Sequence, residues 1–167
     1  MGYFTDMADE TTLRAFLSLA GVQCDLAEVG YARTAQEAAE ALGAPLTQIV
    51  KSLVCLVDGR PVIALVTGDR SLSLDKLGAV AQAERAVLAR GSVVETVTGY
   101  AVGAVAPVGH PSQLPVFGDL AVGRLKDAYF GGGSHHHMLR MAPRDLERLT
   151  PVVWADLASD EPEGASS

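Results

Sequence analysis

The stretch KSLVCLVDGRPVIALVTG, residues 51–68, constrains the fold more than any other. Two apolar runs meet at Asp58-Gly59, a residue pair suited to the two-residue turn of a β-hairpin. A central antiparallel strand pair is therefore expected. Helical segments surround it. In TTLRAFLSLAG, Leu13, Phe16, Leu17 and Ala20 share a face and Gly21 is a stop. TAQEAAEALG pairs Thr34 with Glu37 as a capping box and ends at Gly43. SLDKLGAVAQAE starts at Ser73. SVVETVTG offers the box Ser92/Glu95 and stops at Gly99, and APRDLERLT carries Pro143 in its first turn. VQCDLAEV, AVGAVAP, LPVFGD, DAYFGG and HMLRM read as strands or extended segments. Strands interleaved with helices, one pair a hairpin, favour a mixed sheet flanked by helices over a doubly wound parallel sheet.

Composition sets the character of the core. Hydrophobic residues make up 49% of the 167, but aromatics only 5%, so Ala, Val and Leu must build it by close backbone packing. One domain over residues 1–157 is expected, followed by an acidic, disordered tail over 158–167. No apolar run approaches the roughly 20 residues that span a bilayer, and MGYFTDMADE lacks the pattern of a secretory signal. Cys24 and Cys55 read as buried free thiols. A cytoplasmic protein without membrane contact follows as the expectation.

The net charge of −7 is unevenly placed. Residues 30–150 hold twelve Lys/Arg against eleven Asp/Glu, so the acidity lies at the two ends. Such a balance does not suit a DNA duplex held by counterion release, but it permits a few placed cations to hold one RNA end.

Candidate chemistry is sparse. Lys51 stands at the mouth of a central strand, either on the rim with its stem packed or with its ammonium in a pocket. His135, His136 and His137 read as a polar turn after FGGG. A metal would need further ligands, and no metal or cofactor is expected. There is no nucleophile elbow, Walker loop or G-x-G-x-x-G. TGYAVGAVAPVGH, Thr98–His110, is small, apolar and nearly uncharged, as if its backbone were held still for something to approach.

Taken together, TAQEAAEALGAPLTQIVKSLV, TGYAVGAVAPVGH, LPVFGDL, AYFGGG and LERLT resemble the YbaK/EbsC family of aminoacyl-tRNA deacylases. That family is similar to the editing domain of bacterial prolyl-tRNA synthetases, and the likeness covers about residues 12–157. It implies a mixed α/β (α+β) fold with a largely antiparallel, barrel-like sheet flanked by helices. It also implies hydrolysis of a small mischarged amino acid from tRNA, with tRNA for proline as the expected carrier. The family's G-x-x-x-P loop matches Gly103–Pro107, and its lysine matches Lys51, which would hold the tRNA 3′ end. Lys51 and Gly103 are thus the expected catalytic residues. Ala104, Val105, Ala106, Pro107, Gly131, Gly132, Gly133, Ser134 and Asp119 are the expected substrate contacts. For Asp119 a turn-forming role is an equal reading. Gly131 and Met138 stand where the cysteinyl-tRNA branch has a serine and an aspartate, so that branch's specificity is not carried over. The expected partners are aminoacylated tRNA and, as a candidate, prolyl-tRNA synthetase. The alternatives are a non-catalytic module binding an aminoacylated 3′ end or nucleotide-like ligand, and a metal sensor built on the histidines.

Overall fold

The computed structural model describes residues 7–160. Helix α1 (Glu10–Ala20) begins at Asp9, whose carboxylate accepts from the Thr11 and Thr12 amides while the Thr12 hydroxyl answers the Asp9 N–H. This box lies two residues before the segment read from sequence. Leu13 and Leu17 are buried, whereas Phe16 is 37% exposed, so the buried stripe is narrower than expected.

Strand β1 (Asp25–Glu28) leads to α2 (Ala35–Leu42), where the Thr34 hydroxyl caps the Glu37 amide at 3.1 Å and Ala38 and Ala39 pack inward. A 3-10 turn over Leu46–Gln48 delivers the chain into the hairpin. Strands β2 (Val50–Val57) and β3 (Arg60–Thr67) pair antiparallel from Val50↔Thr67 to Val57↔Arg60. Asp58 and Gly59 take φ of +49° and +81°, the two positive values such a turn needs. The Asp58 carboxylate also accepts from the Glu84 and Arg85 amides, which steers the following segment against β2.

Helix α3 (Leu74–Val80), capped by Ser73, stops short of its expected end because Gln82 turns to a φ of +56°. It is followed by β4 (Ala86–Leu88), a strand not anticipated. Helix α4 (Gly91–Thr98) starts from Arg90 without a side-chain cap. The box Ser92/Glu95 is therefore not formed; Ser92 lies inside the first turn, where its carbonyl accepts from the Thr96 hydroxyl. Residues 101–107 form neither helix nor strand. Then come β5 (Val116–Asp119), α5 (Leu120–Gly123), β6 (Ala128–Gly131), β7 (His137–Met141), α6 (Pro143–Leu146) and β8 (Val152–Ala155).

Two sheets result. One runs β1-β7-β6 and is antiparallel; the other runs β4-β2-β3-β5-β8, with β3/β5 and β5/β8 parallel. The mixed α/β, largely antiparallel expectation holds. The barrel-like part is corrected: the sheets are not closed on each other, and a single bridge, Ile49↔Tyr129, joins them at the foot of β2. The main core fills the space between them with Leu13, Leu65, Tyr100, Phe130 and Leu139. A second cluster, including Cys55, Leu77 and Leu157, packs α3 onto the five-stranded sheet.

The C-terminal boundary also differs. Ala158 is 2% exposed and bridges Leu72, the Ser159 amide donates to Ser71, and Lys76 reaches Asp156, Asp160 and the Ala158 carbonyl. Residues 158–160 thus pack on the domain; 161–167, the rest of the expected tail, lie outside the described residues. Cys55 is buried, with its thiol pushed up to about 12 by desolvation, but Cys24 is exposed, contrary to the sequence reading. The residue sits before β1, where the chain runs along the surface rather than under it. Among the described residues no helix is long and apolar enough to cross a membrane.

Candidate functional site

A cavity of about 620 Å³ opens where the foot of β2 meets the loop before α2 and the 101–107 segment. Val50, Lys51, Ser52 and Val54 contribute one wall, Arg33 and Thr34 a second, and Gly103, Val105 and Gly131 the third. Among the described residues its charged lining residues are Arg33 and Lys51, with no Asp or Glu.

Lys51 is half-buried in the second position of β2, and its ammonium donates to the Arg70 carbonyl just beyond β3. Beside it, Ser52 places a buried hydroxyl without a hydrogen-bond partner on the same cavity. Sequence reasoning missed this group. The one available signal was a lone hydroxyl inside an otherwise apolar strand.

The 101–107 segment is glycine-rich for reasons of contact. Gly103 has a φ of +85°, and a Cβ there would lie 3.1 Å from His135 Cε1 and 3.4 Å from the Arg33 carbonyl. The Ala104 amide donates to Ala101, and the Ala104 carbonyl accepts from the Gly133 amide, both at 3.0 Å. Gly131 presses so closely on this segment that a Cβ would sit 1.9 Å from the Val105 carbonyl oxygen. The GAVAP and GGGS stretches are therefore brought together, backbone against backbone. Further along, His110 Nε2 contacts the Ala106 carbonyl at 2.8 Å, and the Tyr100 hydroxyl donates toward Val108 and Gly109. Burial holds the His110 pKa below its ordinary value, only partly offset by the Ala106 carbonyl, so the ring is neutral near pH 7.

The expected site residues divide. Lys51, Gly103, Val105 and Gly131 line the cavity. Ala104, Ala106 and Pro107 are buried in the packing behind it, and Gly132 and Gly133 abut the His137 and Asp9 backbones. Ser134 organises the turn: its hydroxyl meets His137 Nδ1 at 2.8 Å and accepts from the His136 amide. Asp119 is 4% exposed and does not line the cavity. One of its oxygens caps α5 at Ala121, and the other accepts from the Leu157 and Ala158 amides at 2.8 and 3.0 Å. Of the two readings for this residue, the geometry is that of a structural latch.

The histidines diverge. His135 packs against Gly103, His136 Nδ1 contacts the Gly30 carbonyl, and His137 turns to Ser134. Among the described residues no group of three His, Cys, Asp or Glu is arranged to hold a metal ion.

Comparison with known proteins gives the family. The model of the aminoacyl-tRNA editing domain matches residues 30–149, which include the whole cavity wall from Ala32 to Met138. The chain belongs to the aminoacyl-tRNA editing domain family. By class such a domain is an aminoacyl-tRNA deacylase. Proline--tRNA ligases of Geobacter metallireducens and Elusimicrobium minutum are each 35% identical to it over 127 and 131 residues, 75% of this chain. The chain spans only 21% and 22% of those relatives' length. A crystal structure of a candidate trans-editing enzyme for prolyl-tRNA synthetase superposes with a TM-score of 0.84 at 32% identity, covering 90% of this chain and 96% of that one. A second solved structure, the hypothetical protein APE2540, gives a TM-score of 0.83 at 31% identity over 89% of this editing domain and 99% of its own chain.

Proposed function

We propose that this editing domain hydrolyses the ester between a small, wrong amino acid and the 3′ end of tRNA, with tRNA for proline as the carrier, in the cytosol. The observation that carries the reading is the cavity itself: two cations, no carboxylate among the described residues, and a wall that includes Gly103, Val105 and Gly131. Lys51 and Arg33 suit the phosphate of the terminal nucleotide. The glycine wall lets the ester carbonyl approach backbone amides, which stabilise an oxyanion where charge develops. The Ala104 amide is already given to Ala101, so the Gly103 and Val105 amides are assigned that part.

Water adds to the carbonyl carbon, the bond to the ribose oxygen breaks, and the water's proton ends on that oxygen. Among the described residues no carboxylate lines the cavity to act as general base. The neighbouring ribose hydroxyl of the RNA is therefore assigned to orient the water. Ser52 lines the cavity, and its hydroxyl, buried with no hydrogen-bond partner among the described residues, is assigned to bond the bound ester or its water.

The test is a deacylation panel with tRNA for proline charged with Ala, Cys, Ser or Pro, run with and without a chelator. Turnover of a small non-cognate ester, with Pro spared and no chelator effect, supports the reading. Tight binding without turnover would replace it with a non-catalytic module for the aminoacylated end.

A further inference from the structure

Hydrolysis as described makes no use of Tyr31 or of the histidine run. Tyr31 is 56% exposed, yet its ring is not loose. It meets the His135 ring at 5.6 Å and the His136 ring at 5.3 Å between centroids, both at 58°. The segments carrying these rings are tied together on both sides of Tyr31. The Val29 amide donates to the His136 carbonyl at 2.9 Å, and the Ala32 amide donates to the His135 carbonyl at 2.8 Å. His136 Nδ1 adds a contact to the Gly30 carbonyl, and His135 is wedged against Gly103. The next two residues along, Ala32 and Arg33, line the cavity. A held aromatic surface, open to solvent, thus stands immediately before the cavity-lining pair Ala32 and Arg33 in the chain.

We infer that Tyr31, seated on His135 and His136, is a stacking platform for an unpaired base of the RNA strand next to the terminal nucleoside. The inference rests on the cavity being the site of an aminoacylated 3′ end. Every base has a π-face, so a platform of this kind binds single strands without reading their sequence. It also answers an energetic need. Residues 30–150 are balanced at twelve bases to eleven acids, so phosphate contacts alone give this domain little grip on RNA. Stacking supplies affinity that salt does not screen.

The experiment titrates a five-nucleotide single-stranded RNA, with 2-aminopurine next to its 3′-terminal nucleotide, into the full chain. Deacylation of charged tRNA by the unmodified protein is measured in parallel. Binding should quench the 2-aminopurine. Tyr31→Phe should keep both affinity and quenching, whereas Tyr31→Ala and Tyr31→Leu should weaken binding by about 5- to 100-fold and lose the quench. Tyr31→Ala binding and quenching like the unmodified protein would overturn the platform, and if that protein still deacylates, the hydrolytic reading survives alone. Tyr31-dependent binding without any deacylation would keep the platform and sink the hydrolytic reading. No binding by the unmodified protein would overturn the platform whatever the deacylation result. A loss in Tyr31→Phe equal to that in Tyr31→Ala would also overturn it, because the phenol oxygen rather than the ring would then be at work.

Discussion

Gly131→Ala is the sharpest test of the backbone packing behind the cavity. The new methyl would lie 1.9 Å from the Val105 oxygen and 2.7 Å from its carbonyl carbon, and both atoms are main chain. No rotamer change relieves such a contact. To reach an ordinary separation of about 3.5 Å, the 101–107 segment and β6 must part by roughly 1.5 Å. That displacement overpacks the core at a cost of about 1–3 kcal/mol and strains the Gly133-to-Ala104 hydrogen bond, which contributes about 1 kcal/mol more. A domain of this size should then melt roughly 4–15 °C lower. The same shift moves the Gly103 and Val105 amides by more than 1 Å from the ester, so kcat/KM should fall about 100-fold at a temperature where the variant is folded. Thermal melting and single-turnover deacylation of alanyl-tRNA measure the two effects. Gly43→Ala is the control: its φ is +64° with nothing within 4 Å of the new methyl, so it should cost about 1 kcal/mol and leave kcat/KM alone. Native melting and native kcat/KM in Gly131→Ala would refute the close packing and with it the placement of the amides.

Further outcomes are expected elsewhere. Lys51→Ala and Lys51→Met should both lose deacylation by 100-fold or more (~3 kcal/mol or more of transition-state binding), with melting nearly unchanged in the methionine variant, which keeps burial of the stem; near-native turnover in either would remove Lys51 from the site. Asp119→Ala strips the acceptor from three backbone amides and should lower stability by about 2–4 kcal/mol while kcat/KM of the folded fraction holds. A variant that melts normally but is inactive would instead make Asp119 catalytic. Thiol labelling of the native protein at pH 8 should add one adduct, at exposed Cys24, because the Cys55 thiol is buried and pushed up to about 12; two rapid adducts would contradict that burial.

How much of this was legible depended on how local each cause is. The Asp58-Gly59 turn and the helix stops at Gly21, Gly43 and Gly99 were readable because each is fixed within four residues, and all four glycines do take positive φ. The short strands β4 and β8 were not, since each pairs along one edge of a sheet whose other members come from distant sequence. Their few residues carry no period of their own. Lys51, Gly103, Val105 and Gly131 were found with the cavity, but Ala104 and Ala106 looked equivalent to Val105 in sequence. Only the hydrogen bonds at Ala104 and His110 show that the chain turns those two methyls into the core. The GGGS stretch offered three alike glycines. What separates them is what a Cβ would strike: Val105 beside the cavity for Gly131, His137 and Asp9 behind it for Gly132 and Gly133. Ser52 and Tyr31 gave no motif at all, because a lone hydroxyl and a lone aromatic acquire meaning only from neighbours.

The Asp119 latch has a bearing on how the molecule keeps to itself. Its carboxylate grips amides 38 and 39 residues later, so one side chain closes a loop containing β6, β7, α6 and β8. Strand β8 is the outer strand of the five-stranded sheet, and Trp154 on it packs over Gly118, where a Cβ would come within 2.3 Å of the indole. Should Leu157 and Ala158 let go, β8 would peel away as a unit, and the amides from Val116 to Asp119 would be left as a bare parallel edge. Native-state amide exchange reports the event directly, as common protection across residues 152–158 lower than that of β2 and β3. While this buried carboxylate holds, β5 presents no edge on which a second chain can add a strand.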